Sequence, residues 1–170
     1  MLSPARQLSG FIAKFDPRIA ALARAVLARL RSRLPAAHRL VYDNYNALVV
    51  GFCSNDRASG VIVSMGVYPR WLNLYFFDPD LPDPHGLLKG NGSMVRRIQI
   101  TDAALIDSPA VKALIAHAVK ITEPRLAAKG RGRLIIKAVS KKQRPRRAGT
   151  NSRPQRAPRT QRKTIDGSFK

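Results

Sequence analysis

The residues best suited to chemistry fall in three places. The first is Tyr42-Asp43-Asn44-Tyr45-Asn46. A tyrosine and an aspartate buried together can exchange a proton with a substrate. Tyr42, Asp43, Tyr45 and Asn46 also suit a pocket mouth, with aromatic rings for packing and amides for orientation. The same residues make an ordinary turn, in which Asn and Asp side chains bond the backbone. The second place is Asp78 to His85, where Asp78, Asp80, Asp83 and His85 offer hard ligands for a divalent cation. Pro79, Pro82 and Pro84 are interleaved with them, and Asp-Pro and Pro-Asp pairs also form plain turns. The third is Lys89-Gly90-Asn91-Gly92-Ser93, followed by Arg96-Arg97. Glycines let backbone N–H groups close on an anion, whereas Gly90 or Gly92 in a hairpin-type turn needs only positive φ. A P-loop is excluded, because no Gly-Lys-Ser/Thr follows and the next element reads as a strand.

Other signatures are missing. His38, His85 and His117 stand at no metal-binding spacing to one another or to Cys53. There is no Gly-x-Ser-x-Gly elbow, His-Glu-x-x-His pair or dinucleotide fingerprint. No cofactor and no resident metal is expected.

The elements that must position these residues follow from periodicity. Asp16-Pro17 starts a helix, and Ile19, Leu22, Val26, Leu30 and Leu34 make its apolar face before Pro35 ends it. Ala47 to Phe52 is a short apolar run. Val61, Val63, Met65 and Val67 alternate with Ile62, Ser64, Gly66 and Tyr68. Leu72, Leu74 and Phe76 alternate with Trp71, Asn73, Tyr75 and Phe77, and Ile98 and Ile100 with Arg97 and Gln99. Tight connections between such strands predict an antiparallel meander. Asp107-Ser108-Pro109 starts a second helix, with Val111, Leu114, Ile115, Ala118 and Val119 as its stripe. The fold class predicted is α+β: an antiparallel sheet of about four strands in a meander, flanked by an N-terminal and a C-terminal helix. Both helices have a single apolar face, so they should pack on one side of the sheet. That leaves Trp71, Asn73, Tyr75, Arg97 and Gln99 on the other, a mixed aromatic and polar face suited to a ligand or partner.

Charge divides the chain unequally. Residues 125–170 hold 16 Lys+Arg and one acid, a net of +15, and residues 1–124 a net of +6. The expected organisation is an N-terminal arm over 1–15, an α+β domain over 16–128, a docked extended segment over 129–139 and a disordered basic tail over 140–170. The tail is too poor in apolar residues to offset the entropy of ordering. The cations of the docked segment and the tail, Lys129, Arg131, Arg133, Lys141, Lys142, Arg144, Arg146, Arg147, Arg153, Arg156 and Arg159, predict salt-dependent, weakly selective contact with nucleic acid. Base stacking is not expected there, since Phe169 is the tail's sole aromatic. One cysteine excludes an internal disulfide and fits a cytoplasmic location. No apolar run is long enough for a membrane span, and Met1 to Lys14 lacks the apolar core of a signal peptide.

Three stretches taken in order carry a family resemblance: Val41 to Val50 (VYDNYNALVV), Tyr68 to Phe77 (YPRWLNLYFF) and Asp83 to Gly92 (DPHGLLKGNG), all after an amphipathic helix ending in Leu-Pro. Over about residues 10–125 the chain resembles the YdhG-like family, small bacterial proteins of unknown function. The resemblance implies a compact α+β domain with an antiparallel sheet and flanking helices, and it carries over no catalytic residues. Some relatives are discussed as frataxin-like iron-handling proteins, which requires acidic, oxygen-rich surfaces. This body is net basic, and its acids are scattered except near Asp78. The sequence therefore reads as a non-enzymatic binding module. It takes a small ligand or protein on the sheet face and beside the Asp78–Ser93 loop, and nucleic acid through the tail. The alternative is a metal (iron) carrier or enzyme using Tyr42, Asp43 and the Asp78–His85 loop.

Overall fold

The computed structural model describes residues 1–92 and 94–149. Three helices and six strands follow in the order α1 (Pro4–Ala13), α2 (Pro17–Arg33), β1 (His38–Asp43), β2 (Leu48–Cys53), β3 (Val61–Val67), β4 (Leu72–Phe76), β5 (Arg96–Ile100), α3 (Pro109–Ile121) and β6 (Leu134–Val139). Each helix begins with proline in its first turn, where the missing N–H costs no helical hydrogen bond. Ser3 and Ser108 cap α1 and α3 by accepting from the backbone N–H of Arg6 and Val111. Asp16 occupies the cap position of α2 without such a bond.

The α+β class is as expected, but the sheet is larger and mixed. Its order is β5-β4-β3-β2-β1-β6. Strands β1 to β5 form the antiparallel meander, and β6 adds parallel to β1 at the far edge. The expected four strands thus become six. β1 escaped because HRLVYD places charged Arg39 and Asp43 on the face that the helices cover, which breaks the apolar alternation. β6 pairs with a strand nearly a hundred residues earlier, and no local signal marks that pairing.

Side chains alternate across the sheet, and register separates the two faces. Val41, Val50, Met65, Leu74 and Ile98 run side by side on the covered face, next to Asp43, Leu48, Val67, Leu72 and Ile100. They pack with Leu8 and Ile12 of α1, Val26 and Leu30 of α2, and Val111, Leu114 and Ile115 of α3 in one core. The opposite rows are Leu40, Gly51, Ser64, Tyr75 and Arg97, then Tyr42, Val49, Gly66, Asn73 and Gln99.

The N-terminal arm and the start of the tail differ from expectation, whereas Leu134–Val139 docks as a strand, as its apolar run allows. Residues 1–15, read as an arm, hold α1, and Leu8, Ile12 and Phe15 are buried. The docked segment 129–139 contains β6. The tail begins attached rather than free: Ser140 N–H donates to the carbonyl of Asp43, and Arg144 N–H to that of Tyr45. Residues 150–170 lie outside the described residues.

Candidate functional site: the open sheet face

Strands β3, β4 and β5 present a cleft of about 470 Å³ lined by Tyr68, Trp71, Asn73, Tyr75, Arg97 and Gln99. Gly66 has no side chain, and a Cβ there would lie 2.7 Å from the Tyr75 ring, so only the bare backbone leaves room for the ring's edge. That position brings the Tyr75 hydroxyl to 2.7 Å from the Tyr68 hydroxyl, while Asn73 Nδ2 donates to Tyr75 at 3.1 Å. Asn73 is only 5% exposed, so this bond fixes its amide. Tyr68 in turn stacks on Trp71 with ring centroids 5.3 Å apart. Trp71 is 42% exposed and forms the outer wall. Burial, then the hydrogen bond and charge of Tyr75, push the Tyr68 hydroxyl pKa up, and Arg97 pulls it back. The Tyr68 phenol is therefore neutral near pH 7 and acts as a hydrogen-bond donor and acceptor, not as a base. The cleft offers one exposed π-face, a fixed amide, a second amide and a guanidinium.

The Gly-rich turn meets this cleft at its β5 side. Lys89 and Arg97 exchange two backbone hydrogen bonds of 2.8 and 2.9 Å. Gly90 has φ +117°, and a Cβ there would stand 3.3 Å from an Arg97 guanidinium nitrogen. Gly90 is thus required by the turn and by the arginine that crosses it. Lys89, Gly90 and Gly92 are exposed at this margin. Ser93 lies outside the described residues. Trp71, Asn73, Tyr75 and Arg97 thus line one cleft, with Lys89 and Gly90 joined to it through Arg97, while Gly92 packs against the Val95 backbone.

The Tyr42 group does not join them. Tyr42 and Asp43 are consecutive in β1, so their side chains leave opposite faces of the sheet. Tyr42 lies on the open side, and burial raises its pKa first, with Cys53 adding to the effect. Asp43 is fully buried on the covered side. Lys14 Nζ donates to its Oδ2 at 2.9 Å and Arg146 Nη2 to its Oδ1 at 2.8 Å. Gln143 holds the Asp43 carbonyl and the Lys14 ammonium. Burial alone would raise the Asp43 pKa. The hydrogen bonds from Lys14, Gln143 and Arg146 and the charge of Lys14 overcome it and hold the carboxyl below its usual value. A proton relay between Tyr42 and Asp43 is geometrically closed. Tyr45 and Asn46 form the exposed β1–β2 turn, where Arg144 sits over the Tyr45 ring at 5.5 Å.

The acidic loop uses its oxygens on itself. Asp83 accepts from the N–H groups of Leu87 and Leu88, both at 2.9 Å, and Asp78 from that of Asp80. The second Asp78 oxygen lies 3.9 Å from His117 Nε2, and His85 is exposed. Among the described residues, no three His, Cys, Asp or Glu side chains gather closely enough to hold a metal ion. Cys53 is buried, and desolvation drives its thiol up to about 11 against the pull of Lys137.

The cations chosen for nucleic acid divide. Lys129, Arg131, Arg133, Lys141, Lys142, Arg144 and Arg147 are exposed. Arg133 is 3.8 Å from Asp56. Arg146 departs from the expectation: it is 5% exposed, bonded to Asp43 and the Asn44 carbonyl, and placed over the Phe15 ring. A guanidinium in that position is committed to the fold. Arg153, Arg156 and Arg159 lie outside the described residues. Among the described residues, no helix is long and apolar enough to cross a membrane.

No family model, curated protein or solved structure matches this chain. Tyr68 is the cleft residue that sequence reasoning left out of the site. Its signal was present, because it falls in the same alternating set as Ser64 and Gly66. The partners of Asp43 carried no signal, since Lys14, Asp43 and Arg146 are far apart in sequence.

Proposed function

We propose that this chain is a YdhG-like binding module whose open sheet face holds a small ligand or a partner segment, and whose basic C-terminal region contacts nucleic acid without strong sequence preference. The observation that carries the first part is the uncovered cleft of Tyr68, Trp71, Asn73, Tyr75, Arg97 and Gln99. An exposed ring beside a locked amide and a cation suits a planar, polar, anionic ligand. The second part is supported by the exposure of seven of the selected cations and by the net charge of +15 over residues 125–170.

Trp71 is the chain's single tryptophan; it lines this cleft and a neighbouring cavity with Arg18, Leu22 and Asp102, and Asn73, which lines only the cleft, tells the two apart. A small-molecule screen followed by Trp71 fluorescence should find a ligand that shifts emission in the native chain and loses affinity in Asn73→Ala. Ligands that raise the melting temperature while leaving Trp71 emission unchanged would reject the cleft as the site. For the basic region, the full chain is compared with one ending at Gly149, which keeps the Arg146–Asp43 bond. Binding to short DNA and RNA should weaken on truncation and fall steeply with salt. Equal affinity for both chains, together with unchanged affinity in a Lys141→Gln/Lys142→Gln/Arg147→Gln variant of the full chain, would reject the tether.

A further inference from the structure

The covered face of β1 carries two charged residues, and they are treated differently. Asp43 is neutralised by Lys14 and Arg146. Arg39, at the other end of the strand, is half-buried and faces a separate concavity of about 380 Å³. That concavity lies where the end of α2, the Pro35–Ala37 turn and the lead into β6 converge. Arg31, Arg39 and Arg131 line it with Ser32, and no carboxylate does. Arg29 and Arg33, on the same helix as Arg31, are both paired with Asp107. Among the described residues, no ion pair forms to Arg31, Arg39 or Arg131.

The backbone holds this arrangement firmly. Gly132 N–H donates to the Pro35 carbonyl at 2.9 Å, and Arg39 N–H to the Arg133 carbonyl at 2.8 Å. Arg133 N–H donates to His38 Nδ1 at 3.0 Å. A Cβ on Gly132 would overlap the Ala37 carbonyl, so only glycine lets the two segments lie this close. The backbone beside Arg131 is thereby held at the rim, with its side chain exposed. Desolvation and the charge of Arg31 together lower the Arg39 pKa, as expected for cations crowded without a counter-ion.

We propose that Arg31, Arg39 and Arg131 form a binding site for a terminal phosphate group, either inorganic phosphate or the phosphomonoester of a small metabolite. Guanidinium forks match phosphate oxygens two at a time. Three of them around a concavity with no acid favour a dianion over the single charge of a diester. Ser32 adds a hydroxyl to the wall. The site lies on the covered side of the sheet, away from the open cleft, and does not rest on the function proposed above.

The test uses the full chain, with ionic strength matched by chloride. Calorimetric titration with inorganic phosphate should give saturable binding. Arg39→Gln and the exposed Arg131→Gln should each weaken it about tenfold, the scale of one lost charge-assisted contact. Arg131→Gln keeps the test valid if Arg39→Gln folds poorly. A nucleoside 5′-monophosphate that binds while its nucleoside does not would identify a phosphomonoester as ligand; phosphate binding alone would identify the free ion. Three results would overturn the proposal. Phosphate could bind no better than chloride, both variants could bind like the native chain, or a dinucleoside monophosphate could bind as tightly as inorganic phosphate.

Discussion

The two faces of the sheet use polar side chains in opposite ways. On the covered face, Asp43 is enclosed and its charge is consumed by Lys14 and Arg146. On the open face, Asn73 and the tyrosines are also hydrogen-bonded, yet Trp71, Arg97 and Gln99 keep surface toward solvent. The first arrangement fastens three distant segments, α1, β1 and the start of the tail. The second shapes an open cleft and leaves it uncovered. A polar residue in this fold is therefore informative about function only once its face is known.

The comparison breaks most severely at Asp43. Asp43→Asn should destabilise the fold by about 3–5 kcal/mol, because Arg146 is then left buried without its counter-charge. Urea unfolding at pH 7 measures this. The sign with pH follows from the lowered carboxyl pKa. The stabilisation is fully present above the unfolded-state value near 4 and is lost as pH falls through the lower folded value. The native chain should lose that increment between pH 4 and more acid conditions, and Asp43→Asn should show a flatter acid limb. A variant with the native acid slope would remove Asp43 from this role.

Tyr75→Phe tests the open face more gently. It strips the acceptor from buried Asn73 and the partner from Tyr68, and should cost about 1–3 kcal/mol. Tyr68 should also ionise at lower pH, since both the hydrogen bond and the charge of Tyr75 raise its pKa. Ultraviolet titration of the phenols reads that shift directly. The smallest effect on stability is expected from Trp71→Ala, about 1 kcal/mol from the lost stack on Tyr68. That substitution should nevertheless abolish ligand binding in the cleft, which would make the contrast between the two faces sharpest.

Much of the open face was legible in the sequence. The alternation in Val61–Tyr68, Trp71–Phe77 and Val95–Thr101 separates apolar from polar residues, and the structure places them on the two faces accordingly. The starts of α2 and α3 were readable from Asp-Pro and Ser-Pro. The starting signal of α1 was present in Ser3-Pro4, with Leu8, Ile12 and Phe15 at helical spacing. What stayed hidden depends on distance along the chain. The β1–β6 pairing, the Asp43 network and the arginine concavity each join residues that share no local pattern. The alternative of acid–base work by Tyr42 and Asp43 required the two to be buried together, and consecutive residues of a β-strand point to opposite faces.

The parallel docking of β6 has a consequence for the order of assembly. Of the six strands, β1 is synthesised before the others and its neighbour β6 after them all. Until residue 139 has emerged, β1 presents a bare edge able to pair with another chain. His38 and Arg39 at its beginning place polar and charged groups on that edge, where they discourage pairing with strangers. The arginine that lines the concavity between α2 and the lead into β6 in the finished fold thus also sets a charge beside that edge before β6 docks.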